Sequence, residues 1–252
     1  MWLVLCDADD EPAKWAYRGL KSRGLAPLEL ITTNDMDQGV SWEHHVGREG
    51  ASVAFTLADG REIHSRTVRG VLNRLRWAPV RNLIYTRPEE REYATQEFLA
   101  FFTSWLHCLP KPVLNEPSPH GLSGRWRHIS EWIWLASKAG LPTPEYRQSS
   151  RDLASEFLFS DSIASGEGTG TVEAIVLNRR VFCVETPPSL REGCLRLSEV
   201  SGTTIIGIEF ANSSEDSWTL AGVTTMPDLR QGGEELLDWL TQSFMKWREG
   251  FG

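Results

Sequence analysis

The sequence predicts an α/β protein whose alternating first part gives way to a reduced, strand-rich α+β second part. From Trp2 to Gly140, short apolar strands alternate with capped amphipathic helices. Beyond Val172 the chain reads mostly as strands, with one helix between them, before a last helix. With 252 residues, 40% hydrophobic and 24% charged, the chain can bury a sizeable core in one or two domains.

Trp2 to Cys6 is continuously apolar and reads as a buried strand. Asp9-Asp10-Glu11-Pro12 then supplies a cap, an acidic first turn and a proline suited to a helix start. Ala13, Ala16, Tyr17 and Leu20 form the helix's apolar stripe, and Gly24 suits a left-handed C-cap. Strands are expected at Leu28–Thr32, around Val53, Phe55 and Leu57, and at Val68–Leu72. Thr86-Arg87-Pro88-Glu89 matches a capping box, followed by a helical stripe of Ala94, Phe98, Phe101 and Trp105 expected to face the core. Lys111–Asn115 is a short strand and Glu116–Gly124 is rich in turn formers. Ile129, Trp132, Ile133 and Ala136 mark a helix that Gly140 and Pro142 end.

In the second part, Ser160–Thr171 is small and polar and reads as a loop. A strand at Val172–Leu177 pairs in a hairpin with Val181–Val184, and a helix spans about Leu190 to Val200. Strands near Ile205–Phe210 and Trp218–Val223 precede a final helix carrying Leu236, Leu237, Leu240, Phe244 and Trp247 on one face.

Several function classes fall away. No apolar run approaches the ~20 residues needed to cross a bilayer, so a membrane-spanning protein is excluded. The N-terminus lacks a basic region and meets acids early, so it reads as a strand and not a signal peptide, and the expected location is cytoplasmic. The net charge of −8 opposes a generic nucleic-acid binder. Cys6, Cys108, Cys183 and Cys194 never form a CxxC pair and read as reduced core thiols. His44-His45 points in two directions with no third ligand nearby in sequence, and both read as surface residues. Gly166–Gly170 precedes a strand and lacks the lysine of a phosphate loop. Ser123 is not in a Gly-x-Ser-x-Gly elbow. Among the basic cluster Arg66, Arg69, Arg74 and Arg76, the last two stand beyond a strand, where open α/β sheets place ligands.

Three stretches in order resemble the ATP-grasp superfamily, in its ribosomal-protein glutamate ligase and graspetide (microviridin-type) ligase branch. They are Val71-Leu72-Asn73-Arg74-Leu75 with the helix to Leu106; Val113-Leu114-Asn115-Glu116-Pro117 with the Ile129–Gly140 helix and Leu141-Pro142-Thr143-Pro144; and Val181 to Arg230, through Gly207-Ile208-Glu209-Phe210 and Met226-Pro227-Asp228-Leu229-Arg230. The resemblance implies an ATP-grasp-like fold, with a Rossmann-like pre-ATP-grasp domain over 1–117 and a reduced ATP-grasp-like domain lacking most of the lid over 118–252. It also implies two phosphate-binding lysines, yet Lys138 is the only lysine between Asn115 and Gly202, and Ile129 takes the first expected position. The implied magnesium positions are Glu209, Gly222 and Thr224, of which one is acidic.

The expectation is therefore a non-catalytic ATP-grasp-fold protein that binds a peptide, a small carboxylate or a partner enzyme, with no cofactor. The candidate ligand-binding residues are Arg74, Arg76, Asn115, Arg125, Asp228 and Arg230, facing the cleft of the resembled fold. Two alternatives stand: an active ATP-dependent carboxylate-amine ligase using ATP, magnesium and Glu209, or a structural subunit whose cleft is filled.

Overall fold

The computed structural model describes residues 1–48, 50–79, 83, 86–109, 112–147, 171–182, 188–214 and 217–249. The Gly166–Gly170 run and Cys183 lie outside them. By contacts the chain forms two compact units, Met1–Trp126 with Gly233–Gly252, and Arg127–Gly232. No single cut of the chain describes this division, because the last helix returns to the first unit.

In the first unit, β1 (Trp2–Cys6) is flanked by parallel strands β2 (Leu28–Thr32) and β6 (Gly70–Arg74), and β7 (Val113–Leu114) extends the sheet in the order β2-β1-β6-β7. β1 and β6 are buried on both faces, hence their unbroken apolar run to Asn73 and Arg74. Helix α1 (Glu11–Ser22) begins where expected: the Asp10 carboxylate accepts from Ala13 N at 3.0 Å, and Gly24 adopts φ +81° after the helix. The short α2 (Thr33–Asp37) is closed by a Thr32/Asp35 capping box.

A three-stranded antiparallel sheet, β3 (Ser41–Gly47), β4 (Gly50–Thr56) and β5 (Glu62–His64), follows. Only β4 is legible from period two; β3 is largely exposed and β5 is three residues long. Trp42 on β3 packs at a tilt against Phe55 and edge-on against Phe102, seating this sheet on the core. His44 is half-buried, with Nε2 3.2 Å from the Cys108 thiol and its ring edge-on to Phe101. It is thus packed between strand and helix, whereas His45 is exposed. Cys6 and Cys194 are buried thiols, and Cys108 is half-buried. Burial pushes the Cys6 thiol up to about 12, so it is a core thiol and not a nucleophile.

Helix α3 (Arg91–His107) departs from expectation at its start. The chain enters through a 3₁₀ turn, Pro88–Glu90, and no side chain caps it, so the Thr86 capping box does not form. Its buried residues are Phe102, Trp105 and Leu106, while Phe98 remains 40% exposed. Only the last turns of α3 reach the core; the first half projects from it.

The second unit is an antiparallel sheet, β8 (Thr171–Leu177), β9 (Arg180–Phe182), β10 (Ile205–Ser214) and β11 (Ser217–Thr224), in the order β11-β10-β8-β9. Helices α4 (Ile129–Lys138) and α5 (Pro188–Ser201) pack on one face, burying Trp132, Ala136, Cys194 and Leu197 against Ala174, Val176, Ile206 and Ile208. Helix α6 (Gly233–Glu249) belongs to the first unit. Phe244 packs at a tilt against Trp2, Arg23 at the C-cap of α1 pairs with Glu234 and Asp238, and Gly19 lets Leu237 approach so closely that a Cβ there would meet its Cδ1. No helix among the described residues is long and apolar enough to cross a membrane.

Candidate functional site

Chain connectivity places a crevice at the carboxyl ends of β1 and β6. From β1 the chain moves outward to β2, then returns to β6 on the other side of β1, so the loops leaving the two central strands diverge. Ligands of open α/β sheets bind at such a switch point. Here a cavity of about 510 Å³ is lined by Asp7 and Asp9 after β1, Thr33 at the start of α2, and Arg76 and Trp77 after β6.

The predicted arginines divide within this crevice. Arg74 is the last residue of β6 and turns inward: Nε donates to Asp10 Oδ2 at 2.8 Å and Nη2 to Oδ1 at 3.2 Å. The two side chains are 5% and 2% exposed, so Arg74 joins the end of β6 to the cap of α1. Its position beyond the sheet was legible, but its burial follows from the carboxylate waiting beside it. Arg76 is exposed and lines the cavity, with Nε 3.3 Å from Asp7 Oδ2. Asn115, with φ +59°, is buried at the end of β7, and its carbonyl accepts from Asn73 Nδ2. Arg125 is exposed in the turn-rich segment before α4.

Asp7 and Asp10 were not among the sequence candidates, although two acids directly after the first strand were a readable signal. Burial raises the Asp7 pKa above the ordinary carboxylate value, and the Arg76 charge offsets part of the shift. A carboxyl whose folded pKa exceeds its unfolded one disfavours folding once ionised in both states. This cost is present above the folded pKa and disappears as pH falls below the unfolded value near 3.8. Asp7→Asn is therefore expected to raise Tm at neutral pH, with the gain fading in acid. A lower Tm at neutral pH would show that the pair with Arg76 outweighs burial.

In the second unit, Glu209 lies on the sheet face opposite the helices. The register sets Glu173, Glu209 and Gly222 in one row across β8, β10 and β11, and Ile175, Gly207 and Thr224 in the next. Like charges directly opposed destabilise an antiparallel pair, so Glu173 beside Glu209 is an unusual placement that period-two reading did not reveal. Glu173 Oε2 accepts from Asp228 N at 3.2 Å, and Thr224 Oγ1 accepts from Met226 N at 3.0 Å. The Asp228 carboxylate is held by Arg230, whose Nη2 lies 2.6 Å from Oδ2. Asp228 and Arg230 thus come together as a local pair, and the backbone of Asp228 joins them to the Glu173 row.

Among the described residues, this row offers fewer donors than the magnesium and nucleotide implied by the sequence resemblance call for. Magnesium requires near-octahedral oxygen coordination, usually with carboxylates bridging to phosphates. Gly222 supplies no donor where it faces Glu209, and among the described residues no group of three or more His, Cys, Asp or Glu could hold a metal. At the head of α4, Ile129 stands at the first helical position after the His128 cap. Nearby Arg127 is engaged with Glu131, the Ser201 carbonyl and the face of Trp132. Lys138, at the other end of the helix, sits 3.8 Å over the Trp134 ring.

No protein-family model and no curated protein matches the chain. Solved structures do. The macrocyclase MdnC of Microcystis aeruginosa MRC, bound with precursor peptide MdnA, aligns over 94% of this chain and 99% of its own, with TM-score 0.72 and 12% identity. The ATP-grasp ligase PsnB, complexed with minimal precursor, Mg and ADP, aligns over 98% of both chains at TM-score 0.66 and 16% identity. A RiPP-associated ATP-grasp ligase of Chryseobacterium gregarium, in complex with ADP and a leader and core peptide, aligns over 96% of both at TM-score 0.67 and 10% identity. Joined to the parallel and antiparallel sheets described above, these likenesses give the chain the fold of the ATP-grasp ligases, as its three motif stretches implied.

Proposed function

We propose that this chain is a non-catalytic ATP-grasp-fold protein that binds a peptide, a small carboxylate or a partner enzyme and uses no cofactor. The carrying observation is the donor row of the second unit, where Glu209 stands beside Gly222 and the next row offers Thr224 with its hydroxyl already accepting from Met226 N. With the two lysines absent as well, three or four charge-assisted contacts are lost. At roughly 1.5–3 kcal/mol each this removes about 5–12 kcal/mol, comparable to or above the roughly 4–8 kcal/mol of a millimolar to micromolar nucleotide site. Among the proposed ligands a peptide is favoured by the neighbours solved with precursor peptides.

A second reading has one observation in its favour: Glu173 directly opposite Glu209 supplies a second carboxylate on the same face. In that case the protein is an ATP-dependent carboxylate-amine ligase with an atypical nucleotide site, arginines standing in for the lysines. Isothermal calorimetry separates the two. The expected result is no saturable Mg-ATP binding tighter than about 1 mM and no ATP hydrolysis. A magnesium-dependent Kd in the low micromolar range would overturn the non-catalytic reading.

A further inference from the structure

Two cavities of the first unit meet at Pro79. One is the polar crevice of Asp7, Asp9, Arg76 and Trp77. The other, about 540 Å³, opens between α2, β3 and α3 and is walled by Met36, Trp42, Phe98, Phe101 and Phe102. Each lies within the ~300–1,000 Å³ typical of ligand pockets. Helix α2 contributes to both, with Thr33 in the polar cavity and Met36 in the apolar one. Sharing Pro79 as a wall, the two are read as the polar and apolar ends of one groove.

The charges of the described lining residues are predominantly acidic. Asp37 and Glu97 line the apolar end, and Asp7 and Asp9 the polar end, against the single guanidinium of Arg76 among the described lining residues. Beside the groove, the projecting half of α3 shows Tyr93 and Phe98 to solvent, and Trp77 is 72% exposed. Exposed aromatics around an apolar cavity mark an interaction surface.

We infer that this groove binds a cationic amphipathic peptide segment of a partner. Its aromatic or aliphatic side chains fill the apolar cavity, and its Lys or Arg side chains lie over Glu97. A small apolar ligand would make no use of the acids. A second copy is disfavoured because each chain carries a net charge of −8 and a symmetric contact would set the same acids against each other. The inference deepens the peptide-binding reading above and rests on it, but is independent of whether the chain catalyses.

Fluorescence anisotropy on the full chain tests it, using a labelled synthetic peptide of alternating Leu, Phe and Lys and its counterpart with Glu for every Lys. The Lys peptide is expected to bind at least about tenfold more tightly than the Glu peptide. Phe98→Ser and Glu97→Lys, both at exposed positions, should each weaken the Lys peptide by about tenfold without lowering Tm appreciably. The inference is overturned by absence of saturable binding, by equal binding of both peptides, or by binding that ignores both substitutions. Sedimentation showing a dimer that Phe98→Ser dissociates, without peptide capture, would give the groove to a second copy and also overturn it. Tight Mg-ATP binding bears on the non-catalytic reading alone and leaves these outcomes as they stand.

Discussion

Arg74→Glu is expected to abolish stable folding. The bidentate pair with Asp10 is almost wholly shielded from water, and the same Asp10 Oδ1 caps α1 at Ala13 N. Removing one partner of a buried ion pair costs about 3–5 kcal/mol, because the remaining charge stays buried without its counterion. Reversal adds a second carboxylate at hydrogen-bond range from the first. Against a total stability of about 5–15 kcal/mol, the combined loss leaves little or nothing of the native state. Arg74→Met should retain part of the packing and show the pair's loss alone, as a fall of about 3–5 kcal/mol in urea denaturation. A folded Arg74→Glu variant within about 1 kcal/mol of the parent would contradict the burial of this pair and return Arg74 to the ligand-binding residues. Arg76, exposed and two residues on, is the position where charge reversal tests binding without this confusion.

Asn73→Ala should produce the next largest loss. Asn73 is 1% exposed, and its amide donates to the carbonyls of Asn115 at 3.0 Å and Leu122 at 2.7 Å, while its Oδ1 accepts from Leu75 N. These bonds tie the ends of β6 and β7 to the turn-rich segment and hold Asn115 at positive φ. Truncation takes a partner from three buried backbone groups, each worth about 1–3 kcal/mol when left unsatisfied, so a destabilisation of about 3–5 kcal/mol is expected by denaturant titration. Asn73→Asp keeps the acceptor and loses both donors, and should recover little. A loss below about 1 kcal/mol in Asn73→Ala would mean that water replaces the amide, and that this edge of the sheet is wetter than its burial indicates.

The two arginines show where sequence reading ends. That Arg74 and Arg76 stand past a strand was legible, because a run of apolar residues ending in polar ones is a local pattern. Which of them faces solvent depended on Asp10, 64 positions away in the chain, and no local pattern carries that. Glu173 was missed for the same reason: its significance lies in Glu209, which antiparallel pairing brings beside it. The capping box at Thr86 failed because a signal of four residues competes with the tertiary contacts that set where α3 begins, and those contacts lie at its far end.

By itself, then, the sequence determined the α/β class, the caps of α1, the apolar strands and the order of motifs resembling ATP-grasp ligases, all of which rest on short-range periodicity and turn chemistry. It also showed the absence of lysine at the two positions the resemblance implies and a single acid among the three implied metal positions, since absence of a residue type needs no coordinates. Tertiary structure alone decided that the last helix returns to the first unit and that Arg74 is buried against Asp10. It also revealed the groove beside the projecting half of α3. Each of these depends on free energy shared between residues far apart in the chain, through burial, ion pairing and packing, which the order of residues specifies only once the chain has folded.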